Sequence, residues 1–340
     1  MATLASRGAL TGLLGALDRP GPLVILPHDN PDPDALASAA ALKFLLATLA
    51  KKEAQIVLGG IVGRAENRAM LTYLNITLVP VGEVQFDRRT AVVLVDTQPG
   101  RSNNSLPEGI VPVGVIDHHP AYDHYPGVPF LDLRDQYGAT STIVTEYLRE
   151  SKLVPEPKIA TALFYGISAE TQDLGREATA ADIEASHFLY PYTNKRRMAK
   201  IENARVPREY FRVFREAIER AALYDKVVVS MLGEVQYPDM VAEVADFLLR
   251  LDQVEWAAAI GTFGTCLHCS IRTTDREVNA GDLLQRVLGS RSAGGHDMIA
   301  GGRLSIGDDP AARERAAAMV RDRLLGALGV DPAIGQPLVS

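Results

Sequence analysis

Three groups of side chains in this sequence carry the means for metal chemistry: His28, Asp32 and Asp34; Asp96; and Asp117, His118 and His119. Carboxylate oxygens combined with imidazole nitrogens suit hard divalent cations such as Mn²⁺, whereas a structural zinc would favour thiolates. Each group follows a short run rich in Val, Ile and Leu, at residues 23–26, 91–95 and 113–116. Such runs are too short for helices and read as strands buried on both faces. Ligands of an open parallel α/β sheet gather beyond the carboxyl ends of its strands. Residues far apart in the chain therefore converge on one cleft.

The first group has a rigid frame. In His28-Asp29-Asn30-Pro31-Asp32-Pro33-Asp34 the two prolines fix backbone dihedrals and delay the helix until the acids have passed. Asp32 and Asp34, two apart on extended chain, can address two different ions. Either aspartate alone would be read as a helix cap, and Asp34 also suits the positive end of the helix that follows. The third group is harder to explain by packing, because two adjacent imidazoles and a carboxylate at a strand end have no core role. Three such groups at three strand ends together predict a metal site.

The elements that must hold these residues follow from the pattern. Strand-like runs at 23–26, 55–58, 91–95 and 113–116 alternate with helical stretches at 35–50, 66–74, 140–151, 159–168 and 180–190, and residues up to 20 read as a first helix. Strands joined by helical crossovers predict a parallel sheet covered on both faces. The segment 191–225, with Lys195, Arg196, Arg197, Lys200, Arg205, Arg208, Arg212, Arg215 and Arg220, reads as a helical linker with a solvated charged face. Strands at 227–232, 256–261 and 266–272, with helices at 238–251 and 280–288, then predict a smaller α/β domain. The expected division is 1–190, 191–225 and 226–340, with a cleft between the two domains.

Composition narrows the function further. The chain has 340 residues, a formal net charge of −7, 23% charged and 47% hydrophobic residues. That is an ordinary globular composition, and the acidic balance argues against bulk binding of duplex DNA. A local basic cleft can still hold a short anionic ligand. Cys266 and Cys269 form a lone CxxC within a strand-like run, without the second pair that a structural zinc needs. The apolar stretch 35–50 contains Lys43 and is too short to span a membrane. A cytoplasmic protein is expected.

The residues resemble the DHH phosphoesterases, whose name-giving triplet stands here as Asp117-His118-His119. His28-x-x-x-Asp32-x-Asp34 resembles the family's first motif, Asp96 the second and Gly166-Ile-Ser-Ala-Glu-Thr171 the fourth. Ser270-Ile-Arg272 and Gly294-Gly295-His296 resemble the associated C-terminal substrate-binding domain. The resemblance covers nearly the whole chain and points to the branch of the nano-RNases and the phosphoadenosine-phosphate and cyclic-dinucleotide hydrolases. It implies two divalent cations, Mn²⁺ first with Mg²⁺ or Co²⁺ as substitutes, bridged by Asp96. His28 and Asp32 would complete one ion's protein ligands, and Asp34, His118 and Glu170 would hold the other. Asp117 would fix a histidine tautomer, and His119 would face the substrate.

Glu170 departs from the family pattern, which usually has aspartate there; Asp173 lies about a helical turn further on and is the alternative ligand. In the second domain, Arg272, Gly294, Gly295 and His296 are the expected substrate contacts: the glycines admit a sugar-phosphate close to the backbone, and the guanidinium matches a phosphate. Without the first domain, the glycines would read as a turn and Arg272 as an edge charge. The expected reaction is hydrolysis of short RNA or dinucleotides to mononucleotides, with no long duplex or membrane as partner and a homodimer allowed. The alternatives are phosphoadenosine phosphate, a cyclic dinucleotide or pyrophosphate as substrate, and a nucleotide sensor weakened at Glu170. Ser270-Ile-Arg-Thr-Thr274 lacks the lysine-rich motif usual in the pyrophosphatases.

Overall fold

The structure, a computed structural model, describes residues 8–175, 178–290, 292–295 and 297–339. The chain divides into two compact units, residues 1–204 and 205–340, so the boundary falls inside the segment 191–225.

The first unit runs α1 (Ala9–Ala16), β1 (Leu23–Pro27), α2 (Pro33–Leu49), β2 (Ala54–Leu58), α3 (Ala65–Leu74), β3 (Leu78–Pro80), β4 (Ala91–Val95), β5 (Gly114–Asp117) and β6 (Phe130–Leu133). Four helices follow: α4 (Thr140–Ser151), α5 (Pro157–Glu170), α6 (Ala180–Leu189) and α7 (Lys195–Glu202). The six strands form one sheet in the order β3-β2-β1-β4-β5-β6, and every pairing is parallel. Residues of β1 and β4 are fully buried, as runs of Val, Ile and Leu in such a sheet must be. One face packs on the helices through Ile25, Leu36, Leu42, Ile56, Val93 and Ile116. The other carries Val24, Leu26, Val92, Leu94 and Val115 under Val81, Val84, Phe86, Leu106 and Ile110. Those covering residues lie in the β3–β4 and β4–β5 connections, which carry no α-helix, and β5 and β6 are likewise joined without one. The expected regular alternation stops there. Strand order reverses between β1 and β4, the switch point at which parallel sheets open a crevice.

The second unit comprises α8 (Arg208–Glu219), β7 (Ala221–Tyr224), β8 (Val227–Glu234), α9 (Asp239–Leu248), β9 (Trp256–Phe263), β10 (Cys266–Thr273), α10 (Ala280–Leu288), β11 (Ala293–Gly295), β12 (Ile299–Ser305), α11 (Pro310–Ala327) and β13 (Gln336–Pro337). Its sheet has the order β11-β12-β10-β9-β8-β7-β13, antiparallel except for β8 with β9. Leu267, Cys269 and Ile271 of β10 join a core with Leu283, Leu284, Leu324 and Leu325. The alternate residues of β10 face the other side of the sheet, where Arg272 meets Asp246 of α9. Both cysteines are free; burial pushes the Cys269 thiol up to about 12, so it is an inert core residue. Among the described residues no helix is long and apolar enough to cross a membrane.

Candidate metal centre

The chain leaves β1 into the proline-framed loop. Asp32 caps α2, its Oδ1 accepting from the Ala35 amide at 2.9 Å, while its Oδ2 lies 3.4 Å from His28 Nε2. One carboxylate thus serves the helix with one oxygen and the site with the other. His28 Nδ1 is 2.9 Å from the Asp29 carbonyl oxygen. A carbonyl only accepts, so Nδ1 carries the proton and Nε2 is left facing Asp32 and, at 3.6 Å, Asp96.

Asp96 stands immediately after β4 with φ of 61°, a left-handed conformation that costs a non-glycine residue free energy and that clusters at functional sites. Its amide donates to the Ile116 carbonyl at 2.9 Å and its Oδ1 accepts from Thr140 Oγ1 at 2.9 Å, which fixes the side chain at 2% exposure. His118 presents Nε2 to Asp96 Oδ1 at 3.5 Å, and its Nδ1 donates to the Tyr137 carbonyl at 3.1 Å. The tautomer is again set by a backbone oxygen.

His119 is placed differently. Its Nδ1 donates to Asp117 Oδ1 at 2.8 Å, with Asp96 Oδ1 more distant at 3.7 Å. That turns Nε2, on the far side of the ring, away from Asp117. Asp117 is buried and held from behind by Gln98, whose Nε2 donates to Asp117 Oδ2 at 2.7 Å. Burial alone would raise the Asp117 pKa; the charges of His119 and His118 and the bonds from His119 and Gln98 bring it down to about 2.

Asp34 is turned toward α4. Its two oxygens accept from the Thr140 and Ser141 amides, each at 2.7 Å, at the N-terminal end of that helix. Gly166 lets α5 pass close by, since a Cβ there would stand 3.2 Å from the Asp34 Cα and 2.4 Å from Ser141 Oγ. Glu170 closes α5, and its charge acts on His118. Gln172, Asp173 and Leu174 then take left-handed conformations, and Asp173 accepts from Ser168 Oγ. The turn after Glu170 is therefore not the right-handed helix that would carry Asp173 around in its place.

Two groups of three donors result. One donor atom from each of His28, Asp32 and Asp96 lies within 4.8 Å of the others, and the same holds for Asp96, His118 and His119. Asp96 belongs to both; Asp34 and Glu170 belong to neither among the described residues. Desolvation and the neighbouring Asp34 and Asp32 push the Asp96 pKa well above its usual range, although His118 and His28 oppose them. Burial works against the charged form of His118, yet Asp96, Asp34, Glu170 and Asp117 push it up to about 9. A buried shared carboxylate crowded by other acids, with two imidazole Nε2 atoms turned inward, fits a pair of hard divalent cations.

The expected contacts in the second unit are placed as follows. Arg272 has a side chain 8% exposed and its Nε donates to Asp246, so its charge is balanced within the unit. Gly294 and Gly295 form β11, paired with Gly301 and Ala300 of β12. A Cβ on Gly295 would lie 2.2 Å from the Ile299 carbonyl oxygen, which makes glycine a requirement of the hairpin itself. His296 lies outside the described residues. The residue that the sequence did not announce is Gln98, a common polar type two positions after Asp96 with no spacing to mark it.

The DHH family, N-terminal domain, matches residues 22–167, and the DHHA1 domain matches residues 225–324. An uncharacterised protein of Methanocaldococcus jannaschii is 33% identical over 324 residues, 92% of this chain and 65% of that protein. A probable manganese-dependent inorganic pyrophosphatase of Enterococcus faecalis is 26% identical over 49% of this chain and 54% of its own. A probable bifunctional oligoribonuclease and PAP phosphatase of Streptococcus mutans is 27% identical over 51% of this chain and 49% of its own. These matches thus span about half to two thirds of the relatives' lengths. An exopolyphosphatase-related protein from Bacteroides fragilis shares the fold, with a TM-score of 0.70 at 13% identity over 95% of this chain and 98% of that one. The chain belongs to the DHH family, with the DHH-associated domain as its second unit.

Proposed function

We propose that the protein is a Mn²⁺-dependent phosphodiesterase that hydrolyses short oligoribonucleotides or dinucleotides to mononucleotides. The observation that carries the phosphoesterase reading is the pair of donor groups sharing one buried carboxylate, Asp96. His28, Asp32 and Asp96 would hold one ion, and Asp96 and His118 the other, with Asp34 and Glu170, which lie outside the donor group in the structure, as the further ligands that the family resemblance implies. When bound, the two ions would activate water as a nucleophile and offset charge on the attacking and leaving oxygens.

The chain's own residues do the rest. Asp96, the one carboxylate common to both donor groups, fixes where they meet. His119 is oriented by Asp117, so that Nε2 points away from the acid behind it and can hold a phosphate oxygen. In its protonated form that nitrogen can also give its proton to the departing ester oxygen, balancing the hydroxyl added at phosphorus. Asp117 keeps His119 in this orientation without itself taking the proton, since its pKa is about 2.

Short RNA as substrate rests on the acidic net charge, which disfavours long nucleic acids, and on the similarity to the Streptococcus mutans relative. The similarity to the Enterococcus faecalis relative favours a second reading, pyrophosphate. Phosphoadenosine phosphate and cyclic dinucleotides suit the same metals. Incubation with Mn²⁺ and each of these substrates beside end-labelled two- to five-mers separates them: mononucleotide release from the short RNAs is expected. Turnover of pyrophosphate alone would reject the proposal. A large gain of activity in Glu170→Asp would favour the weakened sensor instead.

A further inference from the structure

The loop after Asp117-His118-His119, the third motif, carries side chains that the metal site does not use. Tyr122 is 45% exposed, and the Arg101 guanidinium lies over its ring, 4.9 Å from the centroid. The backbone beneath this ring is held from inside the fold. Here the frame is Gln98, which is fully buried and uses both ends of its amide. Its Nε2 donates to Asp117 Oδ2, to the His119 carbonyl and to the Pro120 carbonyl, at 2.7, 3.2 and 3.2 Å. Its Oε1 accepts from the Tyr122 amide at 2.8 Å and from the Tyr125 hydroxyl at 3.0 Å. Arg101 completes the ring of contacts by donating from Nη2 to the Pro120 carbonyl at 3.2 Å. One buried amide thus fixes the carboxylate that orients His119 and the backbone of the tyrosine three residues further on.

We propose that Arg101 and Tyr122 form a subsite for the base of a nucleotide whose phosphate is held at His119, an inference that rests on the reading of the metal centre as a phosphoesterase site. A planar base stacks on tyrosine or on a guanidinium plane with little preference among bases, because every base has a π face. Here the tyrosine carries a guanidinium over its ring, so the pair presents stacking surface and positive charge together. Tyr122 follows His119 by three residues, and the Gln98 amide that holds its backbone also holds Asp117, so the subsite would serve a base attached to the phosphate being handled. Pyrophosphate, having no base, would gain nothing from it. The subsite therefore favours nucleotides over inorganic substrates within the first unit alone.

The test compares AMP with ribose 5-phosphate, which keeps the sugar and phosphate but lacks the base, by calorimetric titration of the Mn²⁺-loaded protein. The wild type should bind AMP roughly 5- to 150-fold more tightly, the range for one base stacked on an aromatic ring. Tyr122→Ala should abolish that preference and leave ribose 5-phosphate binding unchanged; Tyr122→Phe should keep it, and Arg101→Gln should reduce it. Equal binding of both ligands by the wild type overturns the subsite, as does an equal loss of both in Tyr122→Ala. The two readings fail separately. Mononucleotide release from dinucleotides without an AMP preference sinks the subsite alone, whereas a Tyr122-dependent preference without any hydrolysis sinks the reaction alone.

Discussion

Replacing Gln98 by leucine should cost the first unit about 3–5 kcal/mol, far more than its single uncharged side chain suggests. The substitution keeps most of the volume but removes an amide that makes five hydrogen bonds in a fully buried position. The bond to the Asp117 carboxylate is charge-assisted, a class worth about 1.5–3 kcal/mol. The Tyr122 amide and the Tyr125 hydroxyl, both only part-buried, lose their acceptor, an ordinary bond worth about 0.5–1.5 kcal/mol each. Local rearrangement and water entry recover part of the sum, which sets the lower end of the estimate. Urea titration followed by far-UV circular dichroism at neutral pH measures the loss. Gln98→Glu should be worse still, because a carboxylate would stand against Asp117. A destabilisation below about 1 kcal/mol for Gln98→Leu would refute the claim that this amide holds the third motif in place.

Further expectations follow from the same geometry. Arg272→Ala should lower the stability of the second unit by about 1–3 kcal/mol, since it removes the ion pair of a buried guanidinium with the partly exposed Asp246; the fluorescence of Trp256, the sole tryptophan, reports it, and an unchanged midpoint would show a free surface arginine. In chelator, the buried His118, held at about 9 by Asp96 and its neighbours against desolvation, is raised above its unfolded value of about 6.5. Its contribution is complete below pH 6.5 and is lost as pH rises through 9, a slope that His118→Gln should flatten. His268 has the opposite sign: burial and Arg303 bring it down to about 4, so stability is held above pH 6.5 and lost as pH falls through 4. Denaturation midpoints of His268→Asn that remain as acid-sensitive as the wild type would contradict this.

The strand ends were legible because burial on both faces demands unbroken apolar runs, and acids or imidazoles cannot continue them. Residues 23–26 and 91–95 thus marked β1 and β4, and the parallel sheet followed. Short edge strands left no such mark. β3 and β6 lie at the margins of the first sheet, and β7, beside β13, is four residues long and pairs with a neighbour across a tight turn. β12 reads Ile-Ala-Gly-Gly-Arg-Leu-Ser, a composition poor in strand formers, yet Gly302 is favoured where a Cβ would lie 2.9 Å from the Ser292 carbonyl oxygen. The glycines expected as substrate contacts thus form a packed hairpin. Partners across the fold were equally invisible: Asp246, which holds Arg272, is 26 residues away on another element, and the α4 amides that hold Asp34 are more than 100 residues away. Such contacts depend on how the elements pack, and local spacing does not encode that.

The central claim is that Asp96 serves two ions at once, and Mn²⁺ stoichiometry tests it most directly. Equilibrium dialysis with atomic absorption should find about two ions per wild-type chain and well under one in Asp96→Ala, because both donor groups lose their shared oxygen donor. His28→Ala, which touches one group only, should keep about one. An Asp96→Ala protein that still binds two ions, or a wild type that binds a single ion unaffected by His28→Ala, would contradict the account.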